Sequence, residues 1–251
     1  MARKKLKWSD MRPSEKRDHV IYLIGQILKW LVVGFMCIFT LYPVVYTLLG
    51  SFKTNAELTL GGNFLPENWQ FNNYVYAFQK LDFGKYFLNS VVLALLTVVF
   101  TLITSSMAAY VISRRDFVGK KLISTAYLLS MFISVGSVAL YPLYTLMSRL
   151  GLTKNMVGLA LMLTGGQAAN IFMISGFING VPKDLDEAAT IDGAGPFRIF
   201  WQIIVPAIKP ILGVIALFAF RQAWNEFVTA QVFTMANPGL KTLSVAVANL
   251  R

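Results

Sequence analysis

The residues best placed to do chemistry lie close together: Asp184, Asp186, Glu187 and Asp192, in the stretch VPKDLDEAATIDGAGPFRIFWQIIVP that runs from residue 181 to 206. Carboxylates this close can serve as a general acid and base pair, hold a cation, or present charge to a partner. Catalysis needs a second kind of group, and the chain is poor in them. His19 is the only histidine and Cys37 the only cysteine, which removes most Cys/His metal sites and Ser/His/Asp or Cys/His nucleophile arrangements. No phosphate-binding G-x-x-x-x-G-K-[ST] stretch occurs, so nucleotide hydrolysis of the phosphate-loop kind is not expected of this chain. No catalytic residue, metal ligand or resident cofactor is therefore expected.

The acids read first as parts of a short helix. Pro182 ends the apolar run before it, Asp184 is a good N-cap, and Glu187 three residues on completes a capping-box pattern. Ala188 and Ala189 give the helix a small-residue face, and Gly193 suits a left-handed C-cap. Pro196 suits the first turn of a second segment, on which Phe197, Phe200, Trp201 and Ile204 fall on one face. The expectation is helix, glycine turn, helix, then Pro206, with little core of its own to join. Asp184 and Asp186 read as capping and solvating residues.

The rest of the chain must hold this element, and its composition says where. Of 251 residues 56% are hydrophobic and 14% charged, with a mean hydropathy of +0.58, which points to lipid. The net charge of +11 is spread over the edges of apolar runs, the positive-inside distribution, and not gathered in a nucleic-acid patch. The expected fold is all-α: a polytopic transmembrane bundle with residues 1–29 as cytoplasmic tail and interfacial lead-in and 30–251 as the membrane domain. The basic tail, with Arg3, Lys4, Lys5, Lys7, Arg12, Lys16 and Arg17, puts the N-terminus inside, and no cleavable signal is expected.

Five spans are expected, at Trp30 to Phe52 and within Tyr86 to Ser113, Leu122 to Ser148, Asn155 to Val181 and Ile208 to Met235. The first should kink at Pro43. Its external connection carries Trp69, Phe71, Tyr74 and Tyr76, as an interfacial aromatic belt or as contacts to an external protein. The fourth is interrupted by Thr164, Gly165, Gly166, Gln167 and Asn170, read either as a helix crossing with bonded amides or as part of a polar solute pathway. In the fifth, Arg221, Gln222, Asn225 and Glu226 lie at depth or near the outer interface. Four crossings return the chain to the cytoplasm at residues 182–206.

Glu187, Ala188 and Ala189, then Gly193, then Ile203 and Pro206 stand at the spacing of the EAA loop in membrane subunits of bacterial ATP-binding-cassette importers, with Val205 in place of a leucine. Leu41, Tyr42 and Pro43; Ser51, Phe52 and Lys53; Asn73 and Tyr74; Ile191 to Ala194; and Trp224 to Phe227 resemble the carbohydrate-uptake branch. They are closest in kind to the smaller membrane subunit of maltose-type importers. The resemblance covers essentially the whole chain. It implies a permease in the bacterial inner membrane that forms a sugar pathway with a second membrane subunit. A binding protein delivers sugar outside, and ATP with magnesium is handled by cytoplasmic ATPase subunits. Glu187, Ala188, Ala189, Asp192, Gly193, Ile203 and Pro206 would couple to the ATPase, while Gln167, Asn170, Asn225 and Glu226 would line the pathway. That family has six spans and a cytoplasmic C-terminus, and a sixth is not found before Arg251. The competing reading is an ion-coupled secondary transporter, which calls for paired acids at mid-membrane and internal repeats; only Glu226 answers to that.

Overall fold

The structure is a computed structural model that describes residues 12–61, 63–133 and 136–249; the basic cluster Arg3 to Lys7 lies outside them. All regular elements among the described residues are helical. Contacts divide the chain into two compact units, residues 1–77 and 78–251.

The first unit is built on α1 (Pro13–Gly50), 38 residues long. Its apolar stretch His19–Gly50 is long enough to cross a membrane. The helix runs through Pro43 without a break; the Thr47 hydroxyl donates to Pro43 O at 2.8 Å. Beyond it the chain folds on itself. Phe52 sits among Trp69, Phe71 and Tyr74 at ring separations of 5.3–5.4 Å, so three of the four expected belt aromatics pack around one ring. Buried Lys53 donates to Asn63 O at 2.5 Å, and the Asn73 amide donates to Ser51 O and Lys53 O, both at 3.0 Å. Helix α2 (Asn55–Thr59) opens with a complete capping box between Thr54 and Glu57. The Thr54 backbone N–H, with further help from the Glu67 N–H and the Thr54 hydroxyl, holds the Glu57 carboxyl below its ordinary value of 4.5. Helix α3 (Asn72–Lys80) follows.

The second unit is organised on α4 (Phe83–Arg114), an uncharged run long enough to cross a membrane except at its ends. Its buried positions Ser90, Leu93, Ala94, Thr97, Thr101, Ser105, Ala109 and Tyr110 recur at helical spacing. Most are small, so neighbouring backbones come close, which is how helices associate where lipid removes the hydrophobic drive. Onto this stripe pack α12 (Lys209–Asn225), α8 (Ala168–Asn179) and α7 (Met156–Leu163). One cluster, at the start of α4, joins Leu93 and Ala94 to Met156, Leu159, Leu163, Phe233 and Val245. The other, at its end, joins Ala109 and Tyr110 to Ile171, Ile174, Ile178, Phe200, Ile204, Ile208, Ile211 and Ile215. The Asn89 amide donates to Gly239 O and Lys241 O at 3.0 and 2.9 Å, and Ser90 Oγ accepts from Leu243 N at 2.8 Å. Those bonds clip α14 (Leu243–Ala248) and the turn before it to the first cluster.

Three expected spans are not single straight helices. Residues 122–148 divide into α5 (Lys120–Ser130) and α6 (Leu140–Arg149), because Gly136 takes a left-handed φ of +54° and starts a 3-10 turn. Pro142, in the first turn of α6, lacks a donor only where none is needed. Helices α7 and α8 meet at 67° across Thr164 to Gln167, where Gly166 has φ +72°. In the fifth expected span α12 stops at Asn225, and Glu226 is already extended; α13 (Val228–Thr234) is a separate element.

Gly158 marks the tightest approach. A Cβ there would collide with the Leu152 carbonyl oxygen. Gly158→Ala is expected to cost about 1–3 kcal/mol, seen as a lower thermal midpoint in detergent, whereas Gly176→Ala, inside α8 with open space around it, should hold the midpoint or raise it slightly. In the first unit, Thr54→Ala removes one bond to Glu57 and should raise that carboxyl's NMR titration midpoint toward 4.5. Because the folded value is depressed, the contribution of Glu57 to loop stability is present above the unfolded value and lost as pH falls through the folded one.

Candidate functional site

Helix α9 (Asp184–Ile191) is the short helix expected from the sequence, but its start differs. Asp184 is the first helical residue and not the cap. Lys183 occupies the cap position in helical conformation and makes no side-chain bond there. Its carbonyl takes both Asp186 N and Glu187 N, at 2.9 and 3.1 Å, so a backbone turn does the work of a capping side chain. Asp184, Asp186 and Glu187 all fall in the first turn, where negative charge complements the helix dipole.

The end is as the residue types require. Asp192 is the C-cap, and Gly193 has φ +81°. Gly193 N bonds Thr190 O at 3.0 Å and Ala194 N bonds Ala189 O at 2.9 Å, the paired bonds of a Schellman motif. Pro196 opens α10 (Pro196–Ile199). The next turn, Phe200–Ile204, is a π-helix in which Val205 N reaches back five residues to Phe200 O. Pro206 explains it: with no N–H to give Gln202 O, and a ring that would strike that carbonyl, the turn widens. A last turn, α11 (Val205–Ala207), meets α12 at Ile208, where Pro196–Ala207 bends from Lys209–Asn225 by 82°.

The widened turn also splits the expected aromatic face. Phe200 and Ile204 are buried with Ile199, whereas Phe197 and Trp201 are exposed. Among the expected coupling residues, Ala189 and Ile203 pack on the inner cluster, while Glu187, Ala188, Asp192, Gly193 and Pro206 are exposed. Beside them, Leu185 and Ile191 are exposed too, Ile191 by 86%. With Ala188 they stand three residues apart, an apolar strip beside Glu187 that no neighbour covers among the described residues. The spacing was visible in the sequence, but exposure was not.

The structure adds Arg114, which the sequence presents only as a basic flank of a span. Its Nε lies 3.1 Å from Asp186 Oδ2, and its side chain is 4% exposed. Its Nη2 donates to Val181 O at 2.6 Å. Asp186 is thus an ion-pair partner and not a solvating residue. The Tyr110 ring lies 5.3 Å from Phe200 and under the Arg115 guanidinium at 6.0 Å. Between α4 and α9 is a cleft of about 280 Å³ lined by Tyr110, Arg114, Arg115, Asp186, Glu187 and Thr190. Asp116, in the loop after α4, has its carboxyl lowered by the Lys120 ammonium, which donates to it at 3.0 Å.

The expected pathway residues do not form one group. Gln167 and Asn170 share a hydrogen bond at the break between α7 and α8. Gln167 Nε2 also donates to Leu163 O at 3.4 Å, and Gln222 Nε2 reaches the same carbonyl from α12 at 3.5 Å. Asn225 bonds its own helix at Arg221 O, 2.8 Å. Glu226 Oε1 accepts from Thr229 N at 2.8 Å and lines a cavity of about 340 Å³ with Met162, Leu163 and Thr229. No group of three or more His, Cys, Asp or Glu able to hold a metal lies together among the described residues.

A family model described as binding-protein-dependent transport system inner membrane component matches residues 11–250. The chain is 33% identical over 202 residues to a diacetylchitobiose uptake system permease protein of Streptomyces coelicolor, covering 80% of this chain and 65% of the relative. It is 32% identical over 231 residues to a galactooligosaccharides transport system permease protein of Bacillus subtilis, covering 90% and 81%. It is 34% identical over 225 residues to a trehalose transport system permease protein of Mycobacterium tuberculosis, covering 89% and 79%. Among solved structures, a bacterial ABC transporter involved in import of the acidic polysaccharide alginate is similar at a TM-score of 0.74 and 26% identity, covering 90% of this chain and 78% of that one.

The left-handed turn at Gly193 gives a direct test. Gly193→Val imposes about 1–2 kcal/mol of backbone strain, roughly five- to thirtyfold in local opening. Hydrogen exchange at the amides around residues 193 and 194 should accelerate by that factor, while α4 amides keep their protection.

Proposed function

The chain belongs to the binding-protein-dependent transport system inner membrane components, and from that premise we propose that it is a permease subunit of an ATP-driven oligosaccharide importer. Its relatives are named for diacetylchitobiose, galactooligosaccharides and trehalose, all short glycosides rich in hydroxyls. It is a transport subunit and not itself an enzyme. It works with a second membrane subunit to form the pathway; an external binding protein supplies the sugar, and cytoplasmic ATPase subunits supply the energy. Its N-terminus and residues 182–206 face the cytoplasm. Two long helices and two bent pairs make up to four spans among the described residues; the reading of five counts the divided segment 122–148 as a further crossing.

One observation carries the coupling reading: α9 is a short helix held out from the bundle, with Glu187, Leu185, Ala188 and Ile191 on its exposed side. A helix that presents one charge amid small and apolar residues suits a socket on a soluble partner. The fixed turns at Gly193 and Ile208 then carry any displacement of that socket into α12, and the short link from α8 carries it into α8. Ala189 and Ile203 hold the element to the bundle, and Asp192, Gly193 and Pro206 set its turns. Gln167, Asn170 and Glu226 offer hydrogen-bonding groups to a passing sugar, with Asn225 near them on the chain.

Glu187→Lys should leave membrane insertion intact and weaken ATPase association by about thirtyfold, the effect of a central interface residue worth about 2 kcal/mol. Co-purification of the ATPase and sugar uptake by cells measure it; normal uptake by the Glu187→Lys variant would remove Glu187 from the docking surface. The purified chain alone should hydrolyse no ATP.

A further inference from the structure

The strongest unassigned feature is the Arg114–Asp186 pair. Of the eight residues of α9 only Asp186 and Ala189 are not exposed. The covalent chain ties α9 to α8 on one side and, through α10 and α11, to α12 on the other. Nothing in the covalent chain ties it to α4, and a cleft of about 280 Å³ separates the two. The pair bridges that cleft. Arg114 Nε is 3.1 Å from Asp186 Oδ2, and among the described residues neither Arg114 Nε nor Asp186 Oδ1 has a hydrogen bond, so the carboxylate is held by charge alone. The same guanidinium donates to Val181 O, just before Pro182. One side chain at the end of α4 therefore grips both the entry to α9 and its first turn.

A buried ion pair is not needed for stability, since apolar side chains of similar volume hold a packed site as well or better. What a guanidinium fork adds is direction: an ion pair and a hydrogen bond made from one rigid plane resist sliding and rotation together. The geometry points to Arg114 and Asp186 as positioning residues for transport. They tie α9 directly to α4, the helix on which its covalent neighbours α8 and α12 already pack, so that a push on α9 reaches α4 without first passing through them. This inference rests on the reading of α9 as the ATPase-docking helix.

The test uses the assembled importer, with both membrane subunits, ATPase and binding protein, in proteoliposomes. Asp186→Asn and Arg114→Gln should each keep the ATPase bound and hydrolysing, yet lower sugar taken up per ATP by roughly two- to thirtyfold, the range over which single residues modulate coupling between sites. The double variant should lose no more than the worse single one, because the two residues act as one unit. Unchanged uptake per ATP, or losses that multiply in the double variant, would overturn the inference. Failure of the docking reading looks different: Glu187→Lys would then leave the ATPase bound. If the substituted subunits do not assemble, a second measurement keeps both native charges. With Cys37→Ser, spin labels at Val111 on α4 and Asp184 on α9, which is exposed and outside the docking strip, should keep their separation within about 2 Å between nucleotide-free and ATP-bound states, well under a one-turn slip of about 5.4 Å. A larger change would show that α9 moves without α4 and would overturn the inference.

Discussion

The second unit depends on the one-sided stripe of α4. From Ser90 to Tyr110 its buried positions other than Leu93 are small or hydroxylated, and Ala94, Thr97, Thr101, Ser105 and Ala109 offer little side-chain bulk. A helix of that kind has no strong preference for lipid on that side, and its partners gain dispersion contacts only by coming close. The larger residues accordingly come from the neighbours: Leu159 and Phe233 near its start, and Ile174, Ile178, Ile211 and Ile215 near its end. Position in this unit is set by neighbours fitting onto α4, so a displacement of α4 is felt by α7, α8 and α12 together.

The segment 182–206, the proposed coupling element, obeys a different rule. Residues 182–206 have a modest core, and their shape comes from backbone punctuation. Lys183 O gathers the first N–H groups of α9, Gly193 takes the left-handed turn, Pro196 starts the next segment and Pro206 widens the turn before it. Each device acts within a few residues, so the element keeps its form while most of its side chains face outward. That is the requirement for a part that must be rigid and also available to a partner. Its grip on the bundle is correspondingly narrow, through Phe200 and Ile204 below and Arg114 and Asp186 beside it.

What can be read from the sequence follows the same division. Local devices are legible: Gly193 and Pro196 do what their types imply, and the Thr164 to Gln167 interruption falls at the break between α7 and α8. The cap expected at Asp184 is displaced because an Asp in that pattern signals a cap that the backbone of Lys183 supplies instead. The split of Phe197 and Trp201 from Phe200 and Ile204 is hidden because a 3.6-residue period assumes a regular helix, and the π turn adds a residue to it. Hydropathy overdraws the span over 122–148, although Gly136 and Pro142 both stand in the apolar run as signals of a break. Arg114 with Asp186 cannot be read at all. Their separation in the chain is bridged only by tertiary packing, and each has a sufficient local explanation, one as a basic flank and the other as a solvated acid.

The breaks themselves place demands on nearby side chains. Where α7 ends, Thr164 N and Gly165 N close back on Ala160 O, Leu161 O and Met162 O, which leaves Leu163 O as the carbonyl in need of a partner, and a group of that kind left unpaired in lipid costs several kcal/mol. Leu163 O is met from two directions, by Gln167 on the same stretch of chain and by Gln222 on α12, and Ala160 O receives the Thr164 hydroxyl at 2.7 Å. Gln167 then has both ends of its amide engaged, one on Leu163 O and the other by Asn170. The polar residues that a solute pathway would use are thus first of all what makes the broken helix tolerable. Any group that hydrogen-bonds a passing sugar here must do so with capacity left over from that task, or exchange a protein bond for a sugar bond of similar strength. Such an exchange is nearly neutral in energy, and a near-neutral site is what a transport path requires, because a solute held tightly at mid-membrane would not leave.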